Sequence, residues 1–437
     1  MSYQPTDVIE VVAGGRRVGA VAQDPDTGWY AFAYDREWVA GGFELAPLHM
    51  PLRPEPYQFP ELRPETFHRL PPLVADALPD AFGNALVDAW MAEQGVTADR
   101  ITPLDRLAYA ADRAMGVLEF RPPARDTATD LPTAVQLADL VLAARLTVSG
   151  QFDSDTTARA ALQQLIQVGT SAGGARAKAV VSFNPMTFQV RSAYGPPVDG
   201  FEQWLIKLDG VSATGMDGHG DQLGDSAPYG RIEYAYSLMA GAAGVEMTAC
   251  QLLAEGPRRH FMTQRFDRGD GGERYHVISL CALAHLDYNL VATHSYDQYL
   301  QTAAALGLEP AERQQAYRRM VFNVMAVNRD DHTKNFAFLR EAHGSWHLAP
   351  AYDVTHAYHP ESRWTSHHLM AVNGKFDGIT LEDLHAVGER NDVPGYRRVV
   401  RDVADGVAAW PQFAAEADLD EQTTKAITAD IARFRPT

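Results

Sequence analysis

The segment NRDDHTKN, residues 328–335, is a polar stretch between two apolar patterns of different period. Residues 311–327, which precede it, carry apolar side chains at the spacing of an amphipathic helix. Residues 336–339 and 346–349, which follow it, are short apolar runs on either side of a turn and predict a β-hairpin. The hairpin leads directly into PAYD, residues 350–353. This order places a polar loop between a helix and a hairpin, with one carboxylate at the end of the hairpin.

Three side chains of this stretch have the arrangement that phosphoryl transfer from Mg-ATP requires. Protein kinases place a catalytic Asp and a Mg²⁺-binding Asn on one loop with the spacing D-x-x-x-x-N, and a second metal-binding Asp after a short hairpin. Asp330 and Asn335 have that spacing, and Asp353 follows the hairpin. We predict Asp330 as the catalytic base and Asn335 and Asp353 as ligands of Mg²⁺, a hard cation that prefers oxygen ligands. The alternative is a polar turn, and only the spacing favours Asp330 over Asp331.

Further candidates for nucleotide binding lie in a loop of small residues and in the polar loop itself. The segment SAGGARAK, residues 171–178, precedes a β-rich run, and its small residues would let backbone N–H groups approach phosphate oxygens closely. A simple Gly-Gly turn with exposed charges is the alternative. His332 and Lys334 are candidates for contact with the nucleotide, and are explained equally well as solvated loop residues. The candidates in the first loop are Ser171, Gly173, Gly174, Ala175, Arg176 and Lys178.

The strand pattern WLIKL, residues 204–208, contains one lysine, Lys207, in an otherwise apolar run. A charge in such a run is costly unless it is paired or lies at an edge, so we predict that Lys207 faces an ATP phosphate. A lysine on an edge strand that points to water is the alternative. Glu233, near the start of the next helical pattern, is a candidate ion-pair partner for Lys207, or equally a Glu favoured by the helix dipole.

The composition limits the class of protein. The 437 residues include 38 Lys and Arg against 56 Asp and Glu, and the net charge of −18 argues against a broad surface for nucleic acid. No apolar run approaches the roughly 20 residues that span a bilayer, and the N-terminus lacks the pattern of a secretion signal. Two cysteines, Cys250 and Cys281, do not make a disulfide framework, so we expect a cytoplasmic protein. Runs of strands followed by runs of helices predict the α+β class.

Taken together, these segments resemble the HipA-like serine/threonine kinases, the toxins of bacterial toxin–antitoxin pairs. The similarity extends over nearly the whole chain and includes the motifs GGRRVGAV, LPDAFGNAL, SAGGARAKAVV, FEQWLIKLDG, RHFMTQRFDR, VNRDDHTKNFAF and LAPAYDV. The resemblance implies a kinase-like fold with a β-rich N-terminal lobe and a mainly helical C-terminal lobe. It divides the chain into a HipA-type N-terminal subdomain at 1–125, a β-rich ATP-binding lobe at 126–266 and a helical catalytic lobe at 267–437.

The resemblance also implies roles for the residues of the proposed catalytic centre. Asp330 is similar to the family's catalytic base, and Asn335 and Asp353 are similar to its Mg²⁺ ligands. Lys207 matches the lysine that binds the ATP phosphates. The cofactors implied are therefore ATP and Mg²⁺.

Two further sites are implied only by the resemblance. The QRF run at 264–266 is similar to the family's hinge, so Gln264 and Phe266 are expected to border the adenine. Ser171 matches the serine that the family autophosphorylates, a modification that switches the kinase off. A phosphate adds about two negative charges where the phosphates of ATP would lie and would repel them. Thr170 is adjacent to Ser171 and leaves the site of this modification open between the two.

The partners implied by the resemblance are a protein substrate and an antitoxin. The antitoxin would be a small helix-turn-helix protein through which DNA is contacted, and the substrate a translation-related protein such as an aminoacyl-tRNA synthetase. In place of the acidic pair that the family tends to carry near His276, the chain has VIS at 277–279, so we expect substrate handling to differ. The alternatives are a catalytically impaired kinase fold that binds a partner, and a small-molecule kinase.

Overall fold

The structure, a computed structural model, describes residues 3–124, 135–149, 165–166, 176–194, 198–211, 228–269, 271–341 and 344–434. The chain divides into two compact units. Unit 1 comprises Met1–Ala227 and Leu253–Val277, and unit 2 comprises Pro228–Leu252 and Ile278–Thr437. Both units combine helices with strands, and the predicted α+β class is confirmed.

Unit 1 begins with a four-stranded antiparallel sheet. Its strands are β1 (Val8–Ala13), β2 (Arg16–Gln23), β3 (Tyr30–Tyr34) and β4 (Leu118–Arg121), in the order β3-β2-β1-β4. Gly14 and Gly15 join the first two strands with φ angles of +55° and +74°. A two-residue hairpin turn with the twist of the strands requires positive φ at both positions, which glycine adopts without strain.

Six helices of unit 1 lie between and after these strands. They are α1 (Arg36–Gly41), α2 (Pro64–Phe67), α3 (Pro72–Ala75), α4 (Ala81–Glu93), α5 (Pro103–Ala110) and α6 (Leu137–Ser149), with a 3₁₀ turn at Ala98–Arg100. Asp80 caps α4, because its carboxylate accepts a hydrogen bond of 2.6 Å from the backbone N–H of Gly83. The chain therefore enters α4 at Ala81, and Asp80 lies at its N-terminus.

The second sheet of unit 1 contains the predicted nucleotide-binding strands. It consists of β5 (Lys178–Phe183), β6 (Val190–Ser192), β7 (Glu202–Lys207), β8 (Cys250–Glu255, which begins in unit 2) and β9 (Arg258–Gln264), in the order β6-β5-β7-β9-β8. The register places Lys178 opposite Lys207, and Lys207 opposite Phe261. Leu86 of α4, Ile206 and Met262 are fully buried in one apolar core that this sheet shares with α4 and α6.

Unit 2 is mainly helical. Its elements are α7 (Tyr229–Ala242), β10 (His276–Ser279, which begins in unit 1), α8 (Leu280–Ala284), β11 (His294–Ser295), α9 (Tyr296–Ala305), α10 (Pro310–Met325), β12 (Ala337–Arg340), β13 (Trp346–Leu348), β14 (Met370–Ala371), α11 (Leu381–Arg390), α12 (Tyr396–Ala408), α13 (Trp410–Glu416) and α14 (Glu421–Ile431). Tyr236 of α7 makes edge-on ring contacts with Phe322 at 6.4 Å and with Trp410 at 5.3 Å between ring centres. These contacts fix α10 against α7 and α13. In the described part of the chain, no helix has the length and apolar character needed to cross a membrane.

Candidate functional site

The backbone is strained at the point where α10 leads into the polar loop at 328–335. Val327, which follows the helix, has a φ of +56°, in the left-handed region that β-branched residues rarely adopt. Such a conformation costs on the order of 1–3 kcal/mol and persists only where the neighbouring structure imposes it. Here the N–H of Asn328 donates to the carbonyl of Asn323 at 2.9 Å. At the other end of the loop, the hydroxyl of buried Thr333 donates to the carbonyl of Leu286 at 2.6 Å.

The two adjacent carboxylates of the loop have different environments. Asp331 is 1% exposed and accepts three hydrogen bonds: from the Tyr296 hydroxyl at 2.7 Å, His368 Nδ1 at 2.8 Å and the Leu369 N–H at 2.7 Å. The side chain of Asp330 is 47% exposed and lies 3.7 Å from His332 Nε2. Three acceptor sites of Asp331 are therefore taken by the fold, and Asp330 is the more exposed of the two carboxylates. The structure thus separates two residues that the spacing alone hardly distinguished.

The predicted metal ligands are fixed by the same loop and by the segment after the hairpin. Asn335 Nδ2 donates to the carbonyl of Asp330 at 2.8 Å, which leaves the amide oxygen as the ligand atom of Asn335. Asp353 has a φ of +53° in the left-handed region. Its neighbour Tyr352 donates its hydroxyl to the carbonyl of Lys334 at 2.8 Å, so the segment after the hairpin is tied to the polar loop.

Asp330, Asn335 and Asp353 line one cavity, together with the buried residues Asn328 and Arg319. Its empty volume is about 340 Å³, part of it open to solvent. The described residues contain no group of three or more His, Cys, Asp and Glu side chains arranged to hold a metal ion. The cavity instead combines carboxylates with amide oxygens, and this donor set fits Mg²⁺, which is bound by one or two carboxylates and keeps several waters.

His332 and Lys334 lie beside Tyr288, and their predicted contact with nucleotide stays a prediction. The imidazole of His332 is 5.5 Å from the Tyr288 ring, and Lys334 Nζ is 5.5 Å from the centre of the same ring. Among the described residues around the cavity, neither side chain forms part of its wall. The 3₁₀ turn Thr333–Asn335 accounts for this, because it directs Asn335 into the cavity and its neighbours elsewhere.

Lys207 belongs to a central strand of unit 1. Because β7 lies between β5 and β9, the alternative of an edge-strand lysine is wrong. Lys207 Nζ is 5.8 Å from the centre of the Phe261 ring, a distance at which a cation and an aromatic face attract each other. Glu233 is 2% exposed and belongs to unit 2. Its pairing with Lys207, like the contact of Lys207 with phosphate, stays a prediction.

Lys178, a candidate for phosphate binding, is buried, so the alternative of an exposed charge is wrong for this residue. It is 1% exposed, and its Nζ lies 3.1 Å from Asp80 Oδ2, at the N-terminus of α4. A buried ammonium needs such a partner, because desolvation without compensation is very unfavourable. Lys178 is thus paired within the fold, and its contact with phosphate stays a prediction. Arg176 is half-buried, and the predictions for Ser171, Gly173, Gly174 and Ala175, with Thr170, lie outside the described residues.

A buried cluster of charges follows the predicted hinge. Gln264 pairs with Trp204 in the sheet, and Phe266 is half-buried. Asp267 is fully buried and lies 2.7 Å from both Arg265 and Arg268. Burial opposes ionisation of Asp267, but the two guanidinium groups outweigh it and lower the pKa of the carboxyl far below its usual value. The RFD run after Gln264 was visible in the sequence, but the pairing that buries it was not.

The comparison with solved structures defines the fold. The structure titled "Shewanella oneidensis MR-1 Toxin Antitoxin System HipA, HipB and its operator DNA complex" is similar over 98% of this chain and 97% of that chain, with a TM-score of 0.66 and 16% sequence identity. A second structure, of the Helicobacter pylori proinflammatory kinase CtkA, covers 35% of this chain and 50% of that one at 14% identity, and its TM-score of 0.25 is too low to support a comparison. The chain is thus an α+β protein with the fold of a toxin–antitoxin HipA.

Two family models match the chain, one near its N-terminus and one over most of the rest of the chain. Residues 9–121 match the HipA N-terminal domain, and residues 170–434 match the HipA-like C-terminal domain. The chain therefore belongs to the HipA family, and the resemblance inferred from its motifs is confirmed. None of the curated proteins matches the sequence significantly.

Proposed function

We propose that this protein is an ATP- and Mg²⁺-dependent protein serine/threonine kinase that acts as the toxin of a toxin–antitoxin pair. The observation that carries the proposal is the cavity of unit 2, which is lined by Asp330, Asn335 and Asp353. Asp330 is half-exposed, while the adjacent Asp331 is occupied by three hydrogen bonds. A half-exposed carboxylate beside oxygen ligands for a hard cation is what a phosphoryl-transfer site needs.

In this proposal, each residue has one role. Asp330 accepts a hydrogen bond from the hydroxyl of a Ser or Thr of the substrate and orients it. Asn335 and Asp353 hold Mg²⁺ through their side-chain oxygens, and Lys207 contributes a positive charge to the ATP phosphates. Mg-ATP, when bound, supplies the phosphoryl group, and its Mg²⁺ neutralises negative charge on the phosphates. The hinge positions Gln264 and Phe266 would border the adenine, and Ser171 would be the site of autophosphorylation.

The partners follow from family membership and from the similar structure. That structure contains HipA with HipB and operator DNA, which supports an antitoxin partner for this chain. The net charge of −18 favours DNA contact through that partner and not through this chain. We propose a translation-related substrate in the cytoplasm, such as an aminoacyl-tRNA synthetase, as the family resemblance implies.

Incubation of the purified protein with Mg²⁺ and radiolabelled ATP, with and without cell extract, tests the proposal. We expect labelled protein bands in extract and a phosphate on the peptide that contains Ser171, detected by mass spectrometry. Binding of ATP without any labelled product would instead support a catalytically impaired partner-binding protein. Label confined to small molecules would support a small-molecule kinase.

A further inference from the structure

The side chain of Asn328 presents a buried oxygen atom that lacks a hydrogen-bond donor. Asn328 is 3% exposed and lines the cavity that contains Asp330, Asn335 and Asp353. Its Nδ2 donates to Asn323 Oδ1 at 2.9 Å. Within the described residues, no donor lies within hydrogen-bonding distance of its Oδ1. A buried acceptor left unpaired costs about 1–3 kcal/mol, and a donor bound in the cavity that Asn328 lines would recover part of that cost.

A chain of hydrogen bonds with only one possible direction fixes this oxygen. The carboxylate of Asp331 can only accept, so the Tyr296 hydroxyl, 2.7 Å away, donates its single proton to it. Burial, together with the charge of Asp331, raises the pKa of Tyr296 well above its ordinary value, so the hydroxyl keeps that proton. The Tyr296 oxygen must then accept from Asn323 Nδ2, which lies 3.0 Å away.

The direction of the hydrogen bonds from Asn323 to Tyr296 and from Tyr296 to Asp331 determines the orientation of the side-chain amides of Asn323 and Asn328. Because Asn323 turns its nitrogen to Tyr296, its oxygen faces Asn328 and accepts from Asn328 Nδ2. Rotation of the Asn328 amide by half a turn would bring two oxygens to 2.9 Å without a proton between them. The oxygen of Asn328 is therefore held away from Asn323.

The surroundings of this oxygen indicate the chemistry of the missing donor. Three carboxylates, Asp330, Asp331 and Asp353, and the amide of Asn335 line the same cavity. Arg319 lines it as well; its NH2 group donates to the carbonyl of Ala349 at 2.6 Å, and its buried Nε has no acceptor among the described residues. The carboxylates and amides of the lining outnumber this one guanidinium, and a hydrated divalent cation suits them because its bound waters point their protons outward.

We propose that Asn328 Oδ1 accepts a hydrogen bond from a water molecule bound to a divalent cation in this cavity. Asn328 is then a positioning residue for the hydrated cation, oriented by Asn323, Tyr296 and Asp331. The inference rests on the proposed function, since it assumes that the cavity holds the cation of a phosphoryl-transfer site. Residues that orient a metal's ligands contribute to its affinity, typically by about 10–100-fold.

The test is the affinity for Mn²⁺ in the presence of a non-hydrolysable ATP analogue, measured from the electron paramagnetic resonance signal of free Mn²⁺. We expect Asn328→Ala to bind Mn²⁺ about 10–100-fold more weakly than the wild type. Asn328→Asp keeps an oxygen at this position and should bind Mn²⁺ at least as tightly as the wild type, although its second oxygen faces Asn323 Oδ1 and should lower the melting temperature. Thermal melting without metal shows that each variant is folded.

The outcomes separate this inference from the proposed function. A folded Asn328→Ala variant with wild-type Mn²⁺ affinity overturns the role of Asn328 and leaves the kinase proposal intact, as does a lower melting temperature with unchanged affinity. A wild-type protein that binds neither Mn²⁺ nor the ATP analogue overturns both. If Asn328→Ala does not fold, weak Mn²⁺ binding by Asn328→Asp contradicts the inference and wild-type binding supports it.

Discussion

Replacing each of the adjacent residues Asp330 and Asp331 by Ala should separate activity from stability. The side chain of Asp330 is 47% exposed, so Asp330→Ala should change the free energy of unfolding by no more than about 0.5 kcal/mol. It should lower phosphoryl transfer by about 10²–10⁴-fold, the usual contribution of a positioned acid–base group. Asp331→Ala instead removes the acceptor of three hydrogen bonds in a buried site. Each buried donor left unpaired costs about 1–3 kcal/mol, and after relaxation we expect a total loss of about 3–5 kcal/mol.

Urea unfolding followed by tryptophan fluorescence measures the free energies, and labelling of a protein substrate by radioactive ATP measures the activity of the folded variants. The two variants serve as controls for each other, because they remove the same chemical group from neighbouring positions. If Asp331→Ala has the wild-type free energy of unfolding, the hydrogen bonds of Asp331 contribute little to stability. Full activity of Asp330→Ala would refute the assignment of the catalytic base.

Two further predictions concern stability. Asp80→Asn and Lys178→Met should each lower the free energy of unfolding by about 3–5 kcal/mol, because each leaves a buried partner alone. The double variant should lose much less stability than the sum of the two single losses. Additive losses would contradict the pairing. Burial raises the pKa of Asp383, but hydrogen bonds from Asn373, Lys375 and Thr380 outweigh it and lower the pKa to about 2. Because this pKa is lower in the folded state, its stabilisation is present above about pH 4 and is lost as the pH falls towards 2. Asp383→Asn should therefore be less stable than the wild type by about 1–2 kcal/mol at pH 6, after allowance for solvent screening, and equally stable near pH 2; a difference that does not change with pH would contradict this.

The parts of the structure that depend on neighbouring residues were predictable from the sequence. The apolar spacing at 311–327 predicted a helix that the structure has at Pro310–Met325. The helix ends two residues early because Val327 takes a positive φ, which apolar spacing does not reveal. The hairpin that follows was predicted from its two apolar runs and pairs as expected, with Phe338 opposite Leu348.

The parts that depend on distant residues were not predictable in this way. Nothing near Asp331 indicates that it is structural, since its partners Tyr296 and His368 are 35 and 37 residues away. The same holds for Lys178, whose buried partner Asp80 belongs to the N-terminal part of the chain. Spacing therefore identified the residue types of the site, and only the tertiary structure could divide them between chemistry and folding.

The cavity of unit 2 is surrounded by features that stability alone does not explain. Val327 is the one β-branched residue with a positive φ among the described residues, and it directly precedes Asn328, whose buried oxygen lacks a donor. Each of these features costs on the order of 1–3 kcal/mol. They persist because the hydrogen bonds of Asp331 and the bond from Thr333 to Leu286 fix the loop from both sides. A loop that its neighbours fix so firmly can hold an unpaired acceptor beside the cavity, and the binding of a ligand there would recover part of that free energy.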